Sequence, residues 1–211
     1  MSDPSATDDL LHRAADGDRE AVAALFEQHR DRLEQMVRLR MDRRLQGRID
    51  ASDVLQETYL EAARRVEEFA RAPTTSVYVW LRVLTGQKLV DLTRRHLGAK
   101  MRDAAQEISL GRGAWPQASS VSLAAQLLGR LTSPTQAVVR AELQIRVQEA
   151  LNGMDPLDRE VLALRHFEML SNAETAEVLG IKKSAASNRY IRALERLKDV
   201  LAGLPDFSEI S

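Results

Sequence analysis

Residues 171–197 read SNAETAEVLGIKKSAASNRYIRALERL. Ser171-Asn172-Ala173-Glu174 is a capping box: a hydroxyl meets the backbone N–H three residues on, and a carboxylate reaches back. It opens a short helix that ends at Leu179-Gly180, where glycine supplies the left-handed residue past a helix C-terminus. One apolar residue later, at Ile181, a longer helix begins. At roughly 100° per residue, Ala186, Tyr190, Ala193, Leu194, Leu197 and Leu201 fall within about a third of its circumference and form its core side. The opposite face carries Ser184, Ala185, Asn188, Arg192 and Glu195, flanked by Arg189 and Arg196. A short helix, a glycine turn and a longer helix with a small, polar and basic outer face is the layout of a helix-turn-helix.

The outer face suits a DNA groove. Asn188 can bond an adenine edge bidentately, and Arg189 or Arg192 can do the same to guanine. Small residues at Ser184, Ala185 and Ser187 let the helix lie deep, while Lys182 and Lys183 at its start suit phosphate. The plainer alternative is a packed helical hairpin with a solvated basic face. Two helices are expected before the motif. Asp155-Pro156-Leu157-Asp158 starts one with an N-cap acid and proline in the first turn, and Leu157, Val161 and Leu164 form its buried stripe. Val139, Leu143, Val147, Ala150 and Leu151 mark one face of the other.

Residues 8–103 read as a run of helices with few breaks, and residues 136–203 as a second helical lobe. Residues 104–135 between them include GRGAWPQASS and LTSPT. A weakly patterned connection of about 30 residues is too long for a loop inside a compact domain, so 104–135 reads as a linker. The expected fold is all-α: two small helical domains on a flexible tether, the second holding the helix-turn-helix. In the first lobe Leu55, Tyr59, Ala62, Val66 and Phe69 form a buried stripe. Asp53, Gln56, Glu57, Leu60 and Arg64 lie on other sides of the same helix, and a leucine within a charged face points to a partner helix. After a break at Ala72–Ser76, a long helix begins near Val77. Leu81, Thr85, Leu89 and Leu92 line one side of it; Trp80, Gln87, Asp91 and Arg94 line another, continuing into Arg95, Lys100 and Arg102. Tyr78 and Trp80 read equally well as core aromatics.

Charge is distributed unevenly. The formal net charge is −1. Yet residues 88–102 carry Lys88, Arg94, Arg95, Lys100 and Arg102 against Asp91 alone, and residues 182–198 carry six cations against Glu195 alone. Two localised phosphate contacts are the natural reading of such segments in a neutral chain. There is no cysteine, so thiolate metal sites and disulfides are excluded and a reducing cytoplasm is the expected compartment. The acidic start, MSDPSATDDLL, is not a signal peptide, and no apolar stretch approaches a membrane span. His12, His29, His96 and His166 have no ligand spacing, and no glycine-rich phosphate loop or nucleophile motif is present. No enzyme activity, cofactor or metal is expected.

The residues Asp53-Val-Leu-Gln56-Glu57-Thr-Tyr59, then Trp80-Leu81, then Gln87-Lys88-Leu-Val-Asp91-Leu-Thr-Arg94-Arg95, resemble the second conserved region of bacterial sigma factors. The C-terminal motif, with Asn188-Arg189-Tyr-Ile-Arg192-Ala-Leu, resembles their fourth region. Holding only these two regions and a linker, the chain resembles the extracytoplasmic-function group. The resemblance implies region 2 over 8–103 and region 4 over 136–203, with core RNA polymerase and promoter DNA as partners. It implies that Asp53, Gln56, Glu57 and Leu60 contact the polymerase. A loop at Ala70–Ser76, including Pro73, Thr74, Thr75 and Ser76, would capture a base unstacked from the minus-ten element. Trp80, Gln87, Lys88, Asp91, Arg94 and Arg95 would contact the same element. Lys182, Lys183, Ser184, Ala185, Ser187, Asn188, Arg189 and Arg192 would bind the minus-thirty-five element. An anti-sigma protein is a further candidate partner. The family usually has asparagine where Gln87 stands, and threonine and serine where Ala185 and Asn188 stand.

Two other functions fit part of the pattern. A stand-alone helix-turn-helix regulator would use the first lobe to dimerise or to sense a ligand. A helical adaptor would touch no DNA. The basic segment after Trp80 and the Asp53–Glu57 stripe favour the sigma-factor reading; a plain regulator needs neither.

Overall fold

The computed structural model describes residues 4–45, 47–97, 117–131 and 137–202. Among them all regular elements are helical. The chain divides into two compact units, Met1–Pro116 and Gln117–Ser211. Lys100, Arg102, Trp115 and the tail Phe207–Ser211 lie outside the described residues.

The first unit comprises α1 (Pro4–Ala15), α2 (Arg19–Glu27), α3 (Arg30–Arg40), a single 3-10 turn (Arg43–Leu45), α4 (Ala51–Arg71) and α5 (Val77–Leu97). Helix α4 packs against each of the other four. Its N-terminus is fixed by a capping box not anticipated from sequence. Asp50 accepts from the backbone N–H of Ser52 and Asp53 at 2.7 and 3.1 Å, and Asp53 accepts in return from Asp50 N at 2.9 Å. The Ser52 hydroxyl and the Asp53 and Ser52 N–H groups stabilise the Asp50 anion and hold its carboxyl below the usual range. The buried side of α4 is Val54, Leu55, Thr58, Ala62, Val66 and Phe69. Thr58 is tolerated there because its hydroxyl donates to Val54 O at 2.7 Å.

Helix α5 departs from a simple two-sided pattern. Val77 to Arg82, six residues in succession, are all buried, so its first turns are enclosed on every side. Trp80 stacks face-on against Phe69 of α4, with centroids 4.4 Å apart and planes 8° from parallel. Tyr78 carries the Arg32 guanidinium at 3.5 Å from its ring centre. Trp80 is therefore not on the polar stripe expected of it; it joins α4 to α5 as a core aromatic. Only from Gln87 onward does α5 expose a face.

The second unit comprises α6 (Ser120–Leu131), α7 (Ala137–Asn152), α8 (Pro156–Leu162) running into a π turn (Ala163–Phe167), α9 (Asn172–Leu179) and α10 (Lys183–Ala202). Helix α6 occupies part of the stretch expected to be tether. It packs on α7, burying Leu123, Ala124, Leu127 and Leu128. These residues lie in the apolar patch Val121–Leu128, which is legible in the sequence, though the Gly, Ser and Pro around it make the whole stretch read as linker. Ser120 Oγ donates to Asn152 Oδ1 at 2.6 Å, which fixes the start of α6 to the end of α7. Leu157 is half-buried, and Val161 and Leu164 are fully buried. The π turn closes with Glu168 N donating to Ala163 O at 3.0 Å. Met169 follows in the left-handed region, φ 58°.

Truncating Leu128, fully buried in α6, should cost about 2–5 kcal/mol as a large-to-small core change. In full-length Leu128→Ala, amide hydrogen exchange should speed up in α6 and α7 while α1 to α5 keep their protection. Unchanged protection in α7 would show that α6 contributes nothing to that core.

Candidate nucleic-acid interface

The helix-turn-helix is built from local bonds. Ser171 Oγ accepts from Glu174 N at 3.1 Å, and Glu174 accepts from Ser171 N at 2.8 Å, completing the capping box. Helix α9 ends in a Schellman motif: Ile181 N donates to Ala176 O, Gly180 N to Glu177 O, and Gly180 has φ 63°. Asn172 Nδ2 donates to Lys183 O at 2.9 Å, so the first residue of α9 holds the first turn of α10. The angle between the two helices is thus set by the turn and by this bond across it.

Helix α10 packs on α7, α8 and α9 through a narrow seam of Ala186, Ala193 and Leu197, with Tyr190 half-buried beside it. Small residues bring the helix close to its neighbours, and the seam is narrower than the sequence implies. Leu194, expected in the core, is 36 % exposed at its edge, and Ile191 is 53 % exposed. The side chain of Leu201 lies outside the described residues.

Lys182, Lys183, Ser184, Asn188 and Arg192 are exposed; Ala185, Ser187 and Arg189 are half-buried. The two arginines differ from expectation. Arg189 Nη1 donates to Asp158 Oδ1 at 2.6 Å and Asp155 Oδ1 at 3.2 Å, and Arg192 Nη2 reaches Asp158 Oδ1 at 3.2 Å. Arg189 is spent on the fold rather than displayed. Asp155 also accepts from Leu157 N at 2.8 Å and Asp158 N at 3.3 Å at the start of α8. Its carboxyl is held below the usual range, first by the Leu157 N–H and then by the Asp158 N–H and the charges of Arg189 and Arg192.

In the first unit α4 and α5 lie side by side and their expected sites meet. Glu57 binds Arg95 through two bonds, at 3.0 and 3.4 Å. Lys88 donates to Glu61 at 3.1 Å, and this ammonium is the first cause of a lowered Glu61 carboxyl. Sequence reading missed Glu61; its signal is an acid one turn beyond Glu57 on the α5 side. Gln56 is exposed and Leu60 is 49 % exposed. Gln56 edges a groove of about 390 Å³ shared with Phe26, Leu55 and Tyr59. Asp53 is exposed with one oxygen committed to the capping box.

The α4–α5 connection presents Pro73, Thr74 and Ser76 to solvent, with Thr75 half-buried. Ser76 Oγ also accepts from Val79 N at 3.3 Å, helping to start α5. The Thr75 hydroxyl is buried and has no hydrogen-bond partner among the described residues. Gln87, Asp91, Arg94 and Arg95 are exposed along α5. Among the described residues no group of three or more His, Asp or Glu is placed to hold a metal, and no helix is long and apolar enough to cross a membrane.

The family model for sigma-70, region 4 matches residues 144–197, from the middle of α7 through most of α10. RNA polymerase sigma factor NccH of Alcaligenes xylosoxydans xylosoxydans is 27 % identical over 202 residues, covering 95 % of this chain and 97 % of its own. ECF RNA polymerase sigma factor BldN of Streptomyces coelicolor is 24 % identical over 200 residues, covering 95 % of this chain and 67 % of its own. Among solved structures, CnrH in complex with the cytosolic domain of CnrY shares the fold, with a TM-score of 0.55 at 24 % identity, covering 93 % of this chain and 97 % of that one.

The depressed Asp155 carboxyl makes the stability of the second unit acid-sensitive. A carboxyl lowered in the folded state contributes stability above its unfolded value and loses it as pH falls through the folded one. Thermal midpoints of this unit should therefore drop on the acid side of the ordinary aspartate range. In Asp155→Asn, which keeps a capping oxygen but not the charge, that drop should be shallower. Parallel acid limbs in the two proteins would remove Asp155 from the explanation.

Proposed function

We propose that the chain is an RNA polymerase sigma factor of the extracytoplasmic-function group, that its first unit is region 2 and its second unit includes region 4, and that each presents its contacts on one long helix. Helix α4 meets core RNA polymerase through Asp53, Gln56, Glu57 and Leu60. The connection Pro73–Ser76 and the α5 face of Gln87, Lys88, Asp91, Arg94 and Arg95 meet the minus-ten element. Helix α10 enters the groove of the minus-thirty-five element. The observation that carries this reading is the coincidence of the region 4 match at 144–197 with a closed helix-turn-helix whose outer face shows Ser184, Asn188 and Arg192.

The division of labour follows from exposure. Asn188, on the groove side, is the base reader; Lys182 and Lys183, at the entrance of α10, anchor phosphate. Trp80 supports the minus-ten surface from beneath, through its stack on Phe69. The half-buried Thr75, with a hydroxyl unmatched among the described residues, is the group of the α4–α5 connection best suited to bond an unstacked base. The protein supplies specificity and lacks chemistry of its own. It works where the polymerase works, in the cytoplasm, and an anti-sigma protein is the further partner this reading admits.

Two variants separate the surfaces. Gln56→Ala with Leu60→Ala removes exposed side chains, so stability should change by about 0.5 kcal/mol or less, while co-purification with core polymerase falls several-fold. Undiminished co-purification would place the polymerase contact elsewhere. Asn188→Ala should cost about 1–3 kcal/mol on the preferred upstream element and less on its single-base variants. Lys183→Ala should weaken binding to all of them alike and flatten the salt dependence. Equal losses for Asn188→Ala on every variant would show that Asn188 reads no base.

A further inference from the structure

Asp158 lies in the first turn of α8 with its side chain only 14 % exposed. Its Oδ1 receives one guanidinium at 2.6 Å, from Arg189, and another at 3.2 Å, from Arg192. These arginines stand on successive turns along one edge of α10. A turn further on, Arg196 Nη2 lies over Gly153, 3.1 Å from where a Cβ would stand. That edge of α10 therefore runs along the turn joining α7 to α8, and a single carboxylate gathers two of its three arginines.

We propose that Asp158 is a positioning residue for base reading: it anchors α10 to α8 through Arg189 and aims Arg192 at the groove. The proposal rests on reading α9 and α10 as the promoter-binding helix-turn-helix. The Arg192 side chain is 59 % exposed, and its bond to Asp158 uses Nη2 alone. The rest of the planar fork remains to meet a base edge. An arginine that reads guanine must present that fork in a defined plane, and a tethered guanidinium starts closer to it than a free one. The carboxylate has a second effect. Its charge opposes a nearby phosphate, so it keeps both guanidinia from settling on the DNA backbone, where they would bind without reading sequence.

The test uses holoenzyme reconstituted from core polymerase and full-length Asp158→Asn. Transcription is measured across single-base variants of one upstream element, and binding to nonspecific duplex is measured against salt. Preference for the best base at the Arg192 position should fall by about 5- to 10-fold. Nonspecific binding should strengthen at low salt and become steeper in salt, because two guanidinia are released to phosphate. Asp158→Glu, which keeps the charge, should retain most of the preference. In an Arg192→Ala background Asp158→Asn should add no further loss of discrimination. A merely structural role would instead lower transcription equally on every variant and leave the salt slope unchanged, and that result would overturn the proposal. If Asp158→Asn does not fold, Asp158→Ser removes the shared carboxylate instead; undiminished base preference there would overturn it too. A wild-type holoenzyme indifferent to the upstream element would defeat the promoter-reading assignment itself, before any variant is compared.

Discussion

Burial of Ala186, Ala193 and Leu197 of α10 against α7, α8 and α9 is the constraint from which the exposed face of α10, the one proposed to meet DNA, follows. A helix can bury a seam on small residues only by approaching its neighbours closely, and once it does so its rotation about its own axis is fixed. With rotation fixed, Ser184 and Asn188 face outward on the opposite side, and Arg189 and Arg196 fall on the edge beside α8. The turn closed by Gly180 and the bond from Asn172 to Lys183 O then fix the tilt. Rotation and tilt together determine which side chains could reach a groove, so the base reading proposed for α10 would begin in the packing of alanines.

The first unit solves a parallel problem with larger residues. Helix α4 buries its seam among four helices, and the Phe69–Trp80 stack ties it to α5. A stacked pair of this kind contributes about 0.5–1.5 kcal/mol beyond its buried area. The ion pairs Glu57–Arg95 and Lys88–Glu61 span the same two helices. The first is largely solvated, with Arg95 58 % exposed, and such pairs contribute about 1 kcal/mol or less. Their importance is geometric. They place carboxylates of α4 against cations of α5, so the surfaces proposed for these two helices share side chains and cannot be altered independently.

Much of this was legible from residue order. Capping chemistry acts over three or four residues, so Ser171–Glu174, Gly180 and Asp155-Pro156 announced their helix ends without any tertiary information. The outward face of α10 followed from periodicity for the same reason. What periodicity could not supply was partner identity. Arg189 and Arg192 look like free groove cations until α8 brings Asp158 beside them, more than 30 positions away in sequence, and Glu57 looks like a free surface acid until α5 brings Arg95. Trp80 reads as part of a polar stripe because a helix enclosed on all sides has no amphipathic signal over its buried turns. Helix α6 was submerged in the composition of its flanks, and Leu194 sat at the edge of a seam whose width depends on the close approach of the neighbouring helices.

A chain with the proposed function gives polymerase a promoter preference that neither partner has alone. Purified full-length chain and core RNA polymerase, mixed and offered a pool of random DNA, should yield transcripts whose templates share two short elements at a constant separation. Omitting either protein should abolish that selection. Sequence-specific binding of the chain to DNA at full strength without polymerase, or transcripts from the mixture with no shared upstream sequence, would contradict it.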